Sequence, residues 1–292
     1  VVPIVVILVS VAALGTAQDS NDREELDFDR PEAWALKFFN SVTIFTGLGP
    51  PRDRDRWSFE LGLELDTIPH LDQDQRRVGF NGLKEEDLNK LPVFFRPRLA
   101  IGLPHNWTLD VSYLPPITVA GVTPHLFALA VERPVYQSGR WVLGVRGYGQ
   151  VGSMDGDFTC SEEQAQQPPG SPGNIWGCDE PSNDTARLNY LGAAFTGGVE
   201  LGRTTVHWGL AANYMDMEFQ VDNVTYGFRD RKLLLAEGWT WSMNVGGSWF
   251  LTERIGLGAE LFYSPLSVVR PPSDTAENDP LFNLRTILRY RF

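Results

Sequence analysis

Two cysteines and four histidines in 292 residues leave little from which to build a metal centre or a thiol or imidazole catalyst. Basic residues are also outnumbered. With 25 Lys and Arg against 37 Asp and Glu the formal charge is −12, and no basic stripe is evident, so nucleic acid is not an expected partner. Also missing are a G-x-S-x-G elbow, an H-E-x-x-H pair, a phosphate loop and a dinucleotide fingerprint, so there is no positive sign of catalysis and no cofactor is implied. Beyond residue 17 no apolar run approaches the ~20 residues of a spanning helix. The mean hydropathy of −0.19 excludes only helical membrane proteins, because a barrel strand alternates apolar with polar residues and averages to nothing. What is present is an apolar content of 42% and an aromatic content of 12%, too hydrophobic for a disordered chain.

Residues 1–17, VVPIVVILVSVAALGTA, have the length of a signal-peptide apolar core and close on Gly15, Thr16 and Ala17 before Gln18. They read as a secretory signal cut after Ala17, with a membrane anchor as the alternative. Residues 18–56 are expected to form a periplasmic cap or an inward plug. They carry a short helix at about 31–40, opened by Pro31 and placing Trp34 and Phe38 on one face. Residues 36–48 could instead make a strand, but parity would then start the chain outside the membrane unless the segment threads the lumen.

At the far end, Phe282, Leu284, Thr286, Leu288, Tyr290 and Phe292 share one face of an extended strand, while Asn283, Arg285, Ile287, Arg289 and Arg291 share the other. A final alternating strand with Leu288, Tyr290 and a terminal Phe292 resembles the assembly signal of Gram-negative outer-membrane β-barrels. The resemblance covers about a dozen residues. It implies export, recognition by the barrel assembly machinery and insertion into the outer membrane; it implies no particular activity.

Working back from that strand, the same period of two appears at 254–267, 239–251, 204–217, 187–201, 140–152, 121–133, 107–117, 92–103 and 57–67. The total is ten, so the expected fold is all-β: an antiparallel up-and-down transmembrane barrel over residues 57–292, with both termini on the periplasmic side. A soluble sandwich or lipocalin-like barrel would show the same alternation with its apolar face turned inward. Three features favour the membrane. Many strands reach the roughly 9 to 11 residues that cross hydrocarbon. The long connections, at 68–91, 153–186, 218–237 and 268–280, all fall at one end of the barrel. Trp57, Trp107, Trp141, Trp208 and Trp249 gather near the other end, while Trp239 and Trp241 lie near the long-loop end, as interfacial indoles do.

With aromatic faces toward lipid, Glu60, Glu64, Arg96, Arg98, Asp110, Glu132, Arg146, Glu200, His207, Glu260, Arg285 and Arg289 face the lumen. Six acids against five arginines suggest arginine and carboxylate pairing across the lumen. A ten-stranded barrel lies near the side-chain-filled end of the size range, which disfavours a wide pore and leaves a narrow or gated route for a small solute. The alternative is a non-conducting structural or surface-binding barrel whose outer loops contact lipopolysaccharide, divalent cations or cells. Cys160 and Cys178 share the longest loop and are expected to form a disulfide after export. That loop carries seven acids and no Lys or Arg. Asp155, Asp157, Asp179 and Glu180 are its weak cation candidates, against the plainer reading of a solvated surface. His70, Asp72 and Asp74 are the nearest approach to a rim hydrolase, at an unspecific spacing. No catalytic residue is assigned.

Overall fold

The structure, a computed structural model, describes residues 23–292; the expected signal sequence over 1–17 lies outside the described residues. Alternation over a period of two builds ten barrel strands. They are β1 (Phe59–Thr67), β2 (Val93–Leu103), β3 (Trp107–Leu114), β4 (Thr123–Ser138), β5 (Trp141–Gly156), β6 (Asp184–Leu201), β7 (Thr204–Thr225), β8 (Phe228–Phe250), β9 (Ile255–Ser264) and β10 (Leu281–Arg291). Each pairs antiparallel with its neighbours in sequence. The cylinder closes where β10 pairs with β1, with Leu288 opposite Leu63. Closure leaves no open edge along the ring, the condition for a sheet to cross hydrocarbon.

The register fixes which side faces out. Val245 lies opposite Leu261, and Leu261 opposite Leu284, so one apolar row runs across three strands. Leu261 is 61% exposed and Trp241 44%, whereas Arg285 and Glu260 on the opposite face are 0% and 1% exposed. A water-soluble barrel would invert this. An exterior of Leu, Val, Phe and Trp around a buried ionic interior requires a lipid surround. Among the described residues no helix is long and apolar enough to cross a membrane.

Short turns at Pro104–Asn106, Gly139–Arg140 and Gly202–Arg203 mark the periplasmic end, and the longer connections mark the outer end. One expected outer loop is not a loop. Residues 218–237 continue β7 and β8 as a hairpin that turns at Tyr226–Gly227. Above the bilayer the outward face meets water in place of lipid, so the apolar alternation that betrays a strand disappears there. Arg229 to Asp222, at 2.7 Å, is one of the cross-strand pairs holding the hairpin instead.

The N-terminal segment does not form a periplasmic cap. Arg23–Glu25 pairs in parallel with Leu233–Leu235 in the outer half of β8. The helix α1 (Pro31–Val42) then lies inside the barrel, started by Pro31 at a first-turn position where a missing N–H costs nothing. From Thr43 the chain runs extended down the lumen to the periplasmic start of β1. The described chain therefore begins at the outer side, and the expectation of two periplasmic termini is corrected: residues 43–56 make one additional passage through the interior.

Candidate functional site: the closed lumen

An irregular segment inside a membrane barrel must find partners for its backbone, because no water-filled surround is available to do it. The wall arginines provide them. Arg285 donates to the carbonyls of Ser41 at 2.9 Å, Val42 at 3.3 Å and Ile44 at 2.6 Å. Arg96 donates to Thr43 at 2.8 Å and Ile44 at 3.1 Å. Arg146 reaches the carbonyl of Phe45 at 3.3 Å, and Arg98 that of Thr46 at 2.8 Å. Arg289 reaches Gly47 at 3.2 Å and Leu48 at 2.6 Å. Every carbonyl from Ser41 to Leu48, eight in succession, thus accepts from one of five guanidinium groups. The Phe45 ring sits among three of them, with the guanidinium carbons of Arg98, Arg96 and Arg146 at 4.1, 4.6 and 5.1 Å from its centroid.

Four of these arginines are held in turn by carboxylates on neighbouring strands, while Arg285 donates to the Asn283 side chain at 3.2 Å. Glu64 takes a two-pronged bond from Arg96 at 2.8 Å on each arm and a third from Arg98 at 2.9 Å. Asp110 accepts from Arg98 and, at 3.0 Å, from Arg146, which also meets Glu132 at 3.3 Å. Glu60 gathers Arg289 at 3.2 Å, Arg291 at 2.8 Å and Arg54 of the threaded segment at 3.0 Å. This corrects the expectation of pairing across the lumen. The ionic chain runs around the wall over β10, β1, β2, β3, β4 and β5, and its spare N–H groups reach inward to the thread. Glu260 accepts from Thr46 of the thread and from Asn244, and lies 3.4 Å from His207.

Two residues fall outside the expected pattern. Glu200 is exposed at the periplasmic rim, beside Arg52 and Asp53 in a polar cleft of about 460 Å³, and takes no part in the network. Asp66, unassigned from sequence, is fully buried and neither of its carboxylate oxygens accepts a hydrogen bond. Its signal was available: it follows Glu60, Gly62 and Glu64 at the period of two.

Above the thread the interior changes character. A cavity of about 440 Å³ lies between α1 (Leu36, Phe39), the inner wall (Leu188, Phe219) and the outer loops (Phe80, Phe158). Charged residues at its margin are tied to one another. Glu24 bonds Lys232 and Arg30, and Lys84 bonds Glu86 at 2.9 Å. Burial pushes the Glu86 carboxyl up to about 8, against the opposing pull of Lys84.

The outer loop is stapled by a disulfide between Cys160 and Cys178, with Cα atoms 5.7 Å apart. Of the cation candidates, Asp155 accepts from Thr185, Asp157 from Lys90 at 2.7 Å, and Asp179 from the Gly227 amide, while Glu180 is exposed. The structure therefore does not bring these four together, and among the described residues no cluster of His, Cys, Asp or Glu has metal-holding geometry. The residues of the rim-hydrolase reading are likewise dispersed in role. His70 is exposed and 3.4 Å from Asn89, Asp72 caps a single helical turn, and Asp74 meets Arg77. Leu288, Tyr290 and Phe292 line the lipid-facing side of β10.

No protein-family model matches the chain, and no curated protein sequence matches it. Solved structures with a similar course include the outer membrane protease OmpT from Escherichia coli, at 8% identity over 81% of this chain and 94% of that one, with a TM-score of 0.41. The COG4313 outer membrane channel from Pseudomonas putida F1 is 12% identical over 85% of this chain and 100% of that one, with a TM-score of 0.42. The Pseudomonas putida toluene transporter TodX is 11% identical over 86% of this chain and 74% of that one, with a TM-score of 0.34.

Proposed function

We propose that the chain is a non-enzymatic outer-membrane barrel that passes small solutes through a gated lumen, and that residues 41–48 are its closing segment. The observation behind this reading is the run of eight consecutive carbonyls held by wall arginines. A lumen plugged merely by side chains needs no such segment. A backbone held chiefly by hydrogen bonds from charged donors can be released as a unit, because Arg96, Arg98, Arg146 and Arg289 each retain a wall carboxylate when the thread leaves, and Arg285 retains the Asn283 side chain. No side chain of the thread is covalently fixed, and the bare wall would present a charge-balanced ring.

Planar-bilayer recording tests it. The wild-type chain should show rare or no conductance steps, and Arg285→Ala combined with Arg289→Ala, which together leave four of the eight carbonyls without an arginine, should raise the open fraction at least tenfold. Equal silence of both proteins would refute gated passage. It would favour a second reading, a structural or surface-binding barrel that presents its acidic outer loop to the surroundings.

A further inference from the structure

We infer that the cavity of the outer half is a binding site for a small, uncharged, apolar molecule, and that the stacked pair Phe80 and Trp176 is its door. The inference deepens the gated-passage reading, since the site's role as a way station rests on that reading; occupancy of the site does not.

The chemistry of the ligand follows from the walls. At about 440 Å³ the space suits a molecule of two or three fused or linked rings, within the ordinary range of ligand pockets. Its body is aliphatic and aromatic: Leu36 and Phe39 from α1, Leu188 and Phe219 from the barrel, Phe158 from the stapled loop. Its margin carries acids and bases in equal number, Glu24, Glu32, Glu86 and Asp230 against Arg30, Lys84, Lys90 and Lys232. Seven of the eight are tied in ion pairs, Lys90 to Asp87 and Asp157 and the others among themselves, so a charged ligand would lose its hydration for little free charge to meet.

The door is built from a strained turn and a fixed jamb. Phe80 lines the cavity yet is 59% exposed, so one ring spans inside and outside. It occupies φ +50°, and Asn81 φ +57°, at the tip of the small hairpin Arg77–Val78 with Lys84–Glu85. A bulky residue in the left-handed region stores strain and persists only when its surroundings hold it. Two contacts do so. The Phe80 ring stacks on Trp176 at 5.2 Å, and the amide of Asn81 donates to Glu32 at 2.6 Å. Trp176 stands on the loop closed by Cys160 and Cys178, where the buried Asn174 side chain clamps the Cys178 amide at 2.7 Å and its carbonyl at 2.8 Å. Glu32 belongs to α1, whose C-terminal end continues into the carbonyl ladder. The door is therefore latched to the helix that leads into the closing segment. This gives the disulfide a purpose: it holds the jamb still.

The test uses the full chain in nanodiscs and two fluorophores of nearly one shape, neutral N-phenyl-1-naphthylamine and its sulfonated analogue 1-anilinonaphthalene-8-sulfonate. The neutral probe should show saturable binding above empty discs. Binding should vanish in Ala186→Trp, which fills the cavity from the wall, and the sulfonate should bind at least tenfold more weakly. Phe80→Ala and Trp176→Ala should each speed release of the neutral probe at least fivefold, with the dissociation constant changed less than threefold. Binding indistinguishable from empty discs, equal binding by folded Ala186→Trp, or equal binding of the sulfonate would overturn the site. Unchanged release in both door variants would overturn the door. A site that fills normally in a barrel that never conducts, even with Arg285 and Arg289 replaced, would remove the passage and keep the site.

Discussion

The two halves of the lumen solve the problem of a filled interior in opposite ways. In the periplasmic half the filler is an extended chain whose backbone is held by polar, directional bonds, with Ile44, Phe45 and Leu48 buried beside it. In the outer half the filler is an apolar helix face, the polar groups are paired off at the margin, and about 440 Å³ is left empty. Directional bonds specify one position for the thread, whereas apolar packing tolerates a space and a guest. The difference assigns closure to the lower half and occupancy to the upper.

The sharpest way to break that division is to remove one shared donor. Arg98→Ala deletes the bond to the Thr46 carbonyl and strips a cation from both Glu64 and Asp110, which are 0% and 6% exposed. Breaking a buried ionic cluster from one side costs about 3–5 kcal/mol, so the thermal midpoint followed by circular dichroism should fall by the largest amount of any single change described. A wild-type midpoint would mean that the lower half is not held electrostatically. On the lipid side, Leu261→Arg places a charge in the middle of the apolar row of Val245, Leu261 and Leu284, and should cost about 2–4 kcal/mol in bilayer folding titrations. Leu261→Met, which keeps the position apolar and nearly the same size, should cost less than about 1.5 kcal/mol.

Effects confined to the outer half are smaller. Cys160→Ser with Cys178→Ser opens a loop whose ends are 18 residues apart, worth about 3 kcal/mol to the loop by chain entropy. Proteolytic nicking within 161–177 should accelerate while the midpoint of the barrel stays put. The smallest effect is one of pH. The Glu86 carboxyl is held at about 8, with burial the first cause, Lys84 opposing it, and Asp184 and Glu32 adding to it. Its folded value lies above that of the free carboxyl, 4.5, so between the two the folded loop binds more protons than an unfolded one. Packing of the 77–91 loop should be tightest at low pH and loosen as pH rises toward and through 8. Amide exchange at Asp87, which donates to the Phe158 carbonyl at 3.1 Å, should quicken over that window beyond the intrinsic rate, and Glu86→Gln should flatten the dependence.

Much of the wall was legible in the sequence and little of the thread. Strands such as Phe59–Thr67 and Leu281–Arg291 announce themselves because lipid on one side and a buried lumen on the other force strict alternation. The pairing of Cys160 with Cys178 followed from their sharing one exported loop. Residues 43–56 carry no period, since their hydrogen bonds go to side chains on distant strands, up to 242 residues away in the case of Arg289 and Gly47. A hint lay in the lumen inventory: five arginines hold more N–H groups than six carboxylates facing them need, and the surplus must find acceptors. Glu200 obeyed the alternation but lies past the membrane at the rim, where the alternation no longer decides a side chain's surroundings. The door pair was beyond sequence reasoning altogether, because Phe80 and Trp176 meet only when two outer loops fold over one another.

The claim beneath both halves is that the thread closes the barrel, and the accessibility of one buried position tests it most directly. Thr46, 8% exposed and at the centre of the carbonyl ladder, can be replaced by cysteine in a chain whose two native cysteines are already joined. In proteoliposomes a membrane-impermeant maleimide should leave Thr46→Cys unmodified for hours and should label it within minutes once Arg98→Ala is added. Rapid labelling of the Thr46→Cys chain with Arg98 intact would contradict the account.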